Sequence, residues 1–263
     1  MITRFPLLSF VLLSAAILSS ALSEPINTDK IAADAESSIE RAGLHADGAA
    51  LATAVKPLEA ALAAAPDQPA LLYTRGFAYY VSSGLHRGPK DLAAREQCLR
   101  DAVSLLERVK GNPWEAEAAA MHGSILGELI ALSKDPANAG ATLGPQSGRL
   151  VAQAAAAAPT SPRVLVFRAR SLLFTPKEYG GDPVEAAAML QQAVDRFAAP
   201  GTPPPGPAWG YADALAWLGI ARQQTGDLAA ARAAWLQALA IEPNFAWVKF
   251  ALLPSLAKPP PMR

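Results

Sequence analysis

One spacing returns three times in this chain and restricts its fold more than any other feature. In "GDLAAARAAWLQALAIEPN", Ala231, Trp235, Ala238 and Pro243 stand four, three and five residues apart. Ala54, Leu58, Ala61 and Pro66 repeat the spacing, and Ser147, Val151, Ala154 and Pro159 repeat it again. Positions i, i+4 and i+7 share one face of an α-helix, and proline, which has no N–H to donate, ends such a unit. Partner helices follow in phase. "LLYTRGFAYY" places Gly76 ten residues after Pro66, "LVFRARSLL" places Ala169 ten residues after Pro159, and "AMHGSILGEL" and "LAWLGIARQQ" centre on Gly123 and Gly219. A small residue at each of these points lets two helices approach closely. The pattern predicts a partial helix pair at 29–66, pairs at 69–110, 114–159, 162–198 and 208–243, and a terminal helix at 245–257.

The segment "LAWLGIARQQTGDLAAARAAWLQALAIEPN" carries Leu215, Leu218, Gly219, Gly226, Asp227, Ala231, Trp235, Ala238 and Pro243 in the order of a tetratricopeptide repeat (TPR), and the chain resembles a degenerate exported bacterial member of that family. The resemblance implies an all-α fold of antiparallel helix pairs stacked as a right-handed solenoid. Extra residues at "SSGLHRGPKD", at "SKDPANAGATLGPQSG" and in the opening stretch imply long inter-helix loops, which loop-closure entropy penalises only weakly. A proline-rich connector, "PGTPPPGP", precedes the last pair. In such arrays the first helix of each pair lines the concave side. The register set by Gly76, Gly123, Ala169 and Gly219 turns Tyr73, Phe77 and Tyr80 inward, followed by Glu117 and Glu128, then Arg163 and Arg170, then Asp213, Gln223 and Gln224. These ten positions form the expected binding groove, the alternative for Phe77 and Tyr80 being packing against the neighbouring pair.

Composition agrees with helix and narrows the partners. Alanine runs such as "AQAAAAAP" favour helix because alanine loses no side-chain entropy there. The formal net charge is zero and no Lys/Arg-rich run occurs, which argues against nucleic acid and against an anionic membrane surface. Met1 to Ser23 has Arg4, an apolar run from Leu7 to Leu18, and Ala21 and Ser23 spaced like a signal-peptidase site, the pattern of an export signal. No cysteine lies near that site to carry a lipid. Cys98 is the only cysteine, so no internal disulfide forms and packing alone holds the fold. The expected organisation is a signal peptide at 1–23, a repeat domain at 24–257 and a proline-rich tail at 258–263.

Candidates for chemistry are few. His45, His86 and His122 have no partner at metal-ligand spacing, no phosphate-cradling glycine motif or nucleophile elbow occurs, and Glu115 with Glu117 reads as a charged, solvated helix face. No cofactor or metal is expected. "TPKEYGGDPVEAA" reads as helix punctuation: a short turn stopped at Gly180, Tyr179 folding back on the pair, and Asp182-Pro183-Val184-Glu185 as a capping box. Asn112-Pro113-Trp114-Glu115 starts another helix by the same device. The expected function is a non-catalytic protein- or peptide-binding scaffold of the bacterial cell envelope, exported to the periplasm. The alternative is a small-molecule-binding periplasmic component associated with an uptake system, which would show a closed apolar pocket rather than an open trough. Export by a cleaved signal predicts a mature protein beginning at Glu24. N-terminal sequencing of the envelope fraction checks it, and an intact Met1 would contradict it.

Overall fold

The computed structural model describes residues 27–111, 113–200 and 209–257. The expected signal peptide, Asn112, most of the proline-rich connector and the 258–263 tail lie outside the described residues. Among the described residues the regular structure is entirely helical. Three helices open it: α1 (Thr28–Leu44), α2 (Gly48–Ala54) and α3 (Lys56–Ala64). Four pairs follow, α4 (Pro69–Leu85) with α5 (Leu92–Leu106), α6 (Trp114–Leu132) with α7 (Pro136–Ala157), α8 (Pro162–Phe174) with α9 (Pro183–Ala198), and α10 (Tyr211–Gln224) with α11 (Leu228–Ile241). A π-helical stretch (Val248–Leu252) runs into the short α12 (Leu253–Ser255). No helix among the described residues is long and apolar enough to cross a membrane.

The small residues at the crossings do what the spacing predicts. A Cβ on Gly76 would stand 3.1 Å from Leu106, one on Gly123 would stand 2.8 Å from Val151, and one on Gly219 would stand 2.1 Å from the Trp235 indole. Trp235 is fully buried and donates its indole N–H to the Ala216 carbonyl at 3.0 Å, so its one polar group is satisfied inside the pair. Adjacent pairs also touch, α6 against α4 and α5, α8 against α6 and α7, and α10 against α8 and α9.

The apolar side chains gather in two clusters divided by α8. Val164 and Phe167 belong to the first, with α1 to α7, and Leu165, Val166, Ala169 and Leu173 belong to the second, with α9 to the last helix. Two residues cross this division from far along the chain. Trp209, just before α10, is buried in the first cluster, and Leu44, at the end of α1, packs on the second. The beginning and the end of the helical row therefore meet.

Three local expectations need correction. The "SKDPANAGATLGPQSG" stretch is not a loop: α7 starts at Pro136, capped by Asp135 accepting from the Asn138 N–H, and runs through Pro145. Its alanines and a proline at the first helical position outweigh the hydrogen bond that Pro145 removes. The N-cap of α6 is Pro113, which has no side-chain acceptor, and Glu115 instead accepts from the Gly111 N–H. Tyr179 is 79 % exposed and does not fold back.

The Gly-Gly-Asp segment is structural punctuation. Gly180 has φ 93° after a short 3-10 turn (Lys177–Tyr179), in the left-handed region that favours glycine. A Cβ on Gly181 would lie 1.8 Å from the Thr175 carbonyl oxygen. Asp182 accepts from the Val184 and Glu185 N–H groups, while the Glu185 carboxylate pairs with Arg168 on α8, so only half of the capping box forms. Asp182→Ala should therefore lower the stability of the fold by about 0.5–2 kcal/mol, read as a shift in the urea midpoint. An unchanged midpoint would contradict the cap.

Candidate functional site

The predicted register brings eight of the ten groove positions into one polar and aromatic layer between α4, α6, α8 and α10. That layer has a filled half and an accessible half.

In the filled half, Trp209 occupies the space that an open groove would offer. Its indole stacks on Phe77 with ring centres 4.2 Å apart, meets Phe167 edge-on, and donates its N–H to the Tyr73 hydroxyl at 3.1 Å. Arg163 Nη1 donates to the Trp209 carbonyl at 3.1 Å, and the same guanidinium donates to both oxygens of Glu117 at 3.3 and 3.4 Å. Ser161 adds its hydroxyl to Glu117 and also caps α8 at the Val164 N–H. Tyr73, Phe77, Glu117 and Arg163 are all buried. They were expected to face a partner. Tyr73, Phe77 and Arg163 contact Trp209 instead, and Glu117 turns to Ser161 and Arg163, because the inner faces of α4, α6 and α8 lie close enough to bury a single inserted indole. Glu117 is likewise not on a solvated face, being the buried partner of Arg163. Removing one member of such a buried pair generally costs about 3–5 kcal/mol, since it leaves a charge without compensation.

In the other half, which reaches solvent at Arg95, Glu128 and Phe174, the buried Arg170 is the hub. It donates to the Tyr80 hydroxyl through Nη1 and to Glu128 Oε1 at 2.8 Å through Nη2, and it lies 4.4 Å over the Trp217 ring. Glu128 also accepts from Arg95 at 2.9 Å. Asp213 accepts from the Trp217 indole N–H at 3.0 Å. Burial raises the pKa of Asp213, against the opposing pull of Arg170. Burial likewise pushes the Tyr80 hydroxyl well above its ordinary value, so it stays protonated. Trp217 packs edge-on with Trp247 and with Phe174, and Phe174 is 62 % exposed. Gln223 bonds to Ser255, and Gln224 points to solvent beyond the layer.

Several members of this layer lie outside the first-helix register. Trp209, Arg95, Ser161, Phe174, Trp217 and Trp247 were missed at the sequence level. The one available signal was an aromatic residue between proline and glycine in "GPAWG", an unusual residue for a connector to expose. The histidines do not join the layer. His45 Nε2 lies 2.9 Å from Glu242, His86 caps the C-terminus of α4, and the buried His122 has its pKa lowered by burial, with Glu107 3.9 Å away. Cys98 is half-buried, its Sγ 3.6 Å from the Ser82 hydroxyl. Among the described residues no group of three or more His, Cys, Asp or Glu side chains could hold a metal ion.

Two open concavities lie elsewhere. One, of about 510 Å³, runs between α7 and α8 past Val151, Ala155 and Leu172, and one of about 360 Å³ lies beside Arg41, His45 and Ala54. Comparison of the chain with protein-family models, with curated proteins and with solved structures finds no match in any of the three.

The junction between the two ends of the row carries a pH dependence. The Gly210 N–H donates to Glu40 Oε1 at 2.8 Å. Burial raises the Glu40 pKa from 4.5 to about 7, Asp213 adds to the rise, and the Gly210 N–H and Arg163 oppose it. A carboxyl group with a raised pKa binds its proton more tightly in the folded state. Its stabilising effect is present below pH 4.5 and is lost as pH rises through about 7. The loss is on the order of 3 kcal/mol. Glu40→Gln should flatten this fall, as measured by unfolding midpoints on both sides of the window. A wild-type slope retained in the variant would contradict the assignment.

Proposed function

We propose that the protein is a TPR-like module, a right-handed array of helix pairs that binds a protein or peptide partner without catalysis in the bacterial cell envelope. The succession of helix pairs, each crossing at a small residue and touching its neighbours, supports the array. The export-signal pattern of residues 1–23 supports the location. The carboxylates and guanidiniums of the inner layer are committed to one another, to backbone groups or to aromatic rings, which is the behaviour of a scaffold. A nucleophile activated by a base would instead need the two groups held within hydrogen-bond reach of each other and of a substrate.

The observation that carries the proposal is Phe174. It projects from the end of α8 against Trp217, which contacts Trp247, and these three rings border the accessible half of the inner layer. Aromatic side chains beside arginine are the usual anchors of protein interfaces. The partner site is therefore this surface, with Phe174, Trp217, Trp247 and Gln223 at its edge, while Trp209 closes the remainder of the trough.

A displayed peptide library should yield binders to the wild-type protein. Phe174→Ala should weaken them at least about tenfold, equal to ~1.4 kcal/mol, and should leave the unfolding midpoint unchanged because Phe174 is already largely in water. Failure to select any peptide, or equal binding to the variant, would refute the proposal.

A further inference from the structure

Six side chains, one each from α5, α6, α8 and α10 and from the segments after α4 and after α11, close into a ring that opens to solvent at Arg87. The Arg87 guanidinium, just after α4, lies 6.0 Å from the Trp247 ring centre, and Trp247 lies 5.0 Å from Trp217. Arg170 sits 4.4 Å over Trp217 and donates to one oxygen of Glu128. Arg95, at the start of α5, donates to the other oxygen and lies near enough to Arg87 for the two charges to repel.

The charges of this ring do not balance. Three guanidiniums, Arg87, Arg95 and Arg170, face two carboxylates, Glu128 and Asp213. Glu128 is shared between Arg95 and Arg170. Arg87 donates its Nε–H to the Gly84 carbonyl, and among the described residues no carboxylate lies within ion-pair distance of it. The Nε–H groups of Arg95 and Arg170 also lack acceptors, but they are buried and it is Arg87 that a partner can reach. An exposed arginine with no carboxylate partner, next to an aromatic ring and to a carboxylate already shared by two other arginines, is a surface prepared for a negative charge. The neighbouring aromatic rings supply apolar area at the same place.

We infer that this ring recognises an acidic segment of a partner protein, whose carboxylates meet Arg87 and Arg95 while an adjacent apolar side chain packs on Trp217, Trp247 and Phe174. The inference rests on the peptide-binding reading above and names the chemistry of the partner. A peptide fits better than a small anion because Arg87 and Phe174 stand exposed at the border of an open face, which offers an extended surface rather than an enclosed pocket.

The test uses three fluorescein-labelled peptides measured by anisotropy: one of alternating glutamate and phenylalanine, and its glutamine and lysine counterparts. The acidic peptide should bind at least about tenfold more tightly than the other two, and its affinity should fall as salt is raised. Arg87→Glu should weaken it at least about tenfold, and Arg95→Gln several-fold. Arg87 is exposed and carries no ion pair, so Arg87→Glu should keep the wild-type unfolding midpoint. Equal binding of the glutamine peptide, or indifference to Arg87→Glu, would overturn the acidic partner while leaving a peptide-binding module standing. Displacement of the acidic peptide by benzoate at comparable concentration would overturn the peptide in favour of a small organic anion. If all three peptides and the library selection fail to bind, both readings fall together.

Discussion

Arg163 joins three parts of the chain with one guanidinium. It holds Glu117 on the neighbouring helix and the backbone carbonyl of Trp209, and it carries the latter residue into a space between helices some ninety or more positions earlier in the chain. Two of these groups are charged and buried, so neither tolerates the loss of the other. The carbonyl uses a donor that Glu117 leaves available. With Trp209 fixed, the segment before α10 is anchored, Gly210 presents its N–H to Glu40, and the last helix pair is held against the first helix. A helical row whose inner side would otherwise be a channel is thereby filled along half of its length and accessible along the other half.

The division between those halves follows from side-chain size. Around Tyr73 and Phe77 the space is closed by a single large ring, stacked and hydrogen-bonded. Toward Arg170 the layer is made of long charged side chains: Arg170 itself is buried, while its neighbours Glu128 and Arg95 keep part of their polar heads in water. The arginine over Trp217 combines both behaviours, covering an aromatic face while reaching a carboxylate.

Helix positions were legible in the sequence because they depend on local chemistry. Gly219 with Trp235, the prolines after α3, α7 and α11, and Asp182 at the start of α9 act within a few turns, and the structure places each as its spacing implies, whereas the 54–61 copy, read as one helix, is split between α2 and α3. The inner-face register was legible for the same reason: Tyr80, Glu128, Arg170 and Asp213 do converge. Their exposure was not. Whether Tyr73 meets water or an indole depends on Trp209, 136 residues away, and no periodicity encodes that contact. Arg95 was hidden by its place on a second helix, where the register assigns no inward role. The helical reading also failed at "SKDPANAGATLGPQSG", where proline and glycine suggest a loop but a good N-cap and flanking alanines propagate α7 through them.

The junction of first and last helices also bears on how fast such a chain can fold. Rows in which each unit touches only its neighbours assemble from contacts of short sequence separation, and they can begin anywhere and grow. Here Tyr73 with Trp209, Glu40 with Gly210 and His45 with Glu242 link positions 136, 170 and 197 residues apart. Those links form only after the intervening helices have ordered, because the entropy of closing so large a loop is recovered by few bonds. Early steps are thus expected to resemble those of a linear repeat, with a later, slower step in which the indole of Trp209 leaves water.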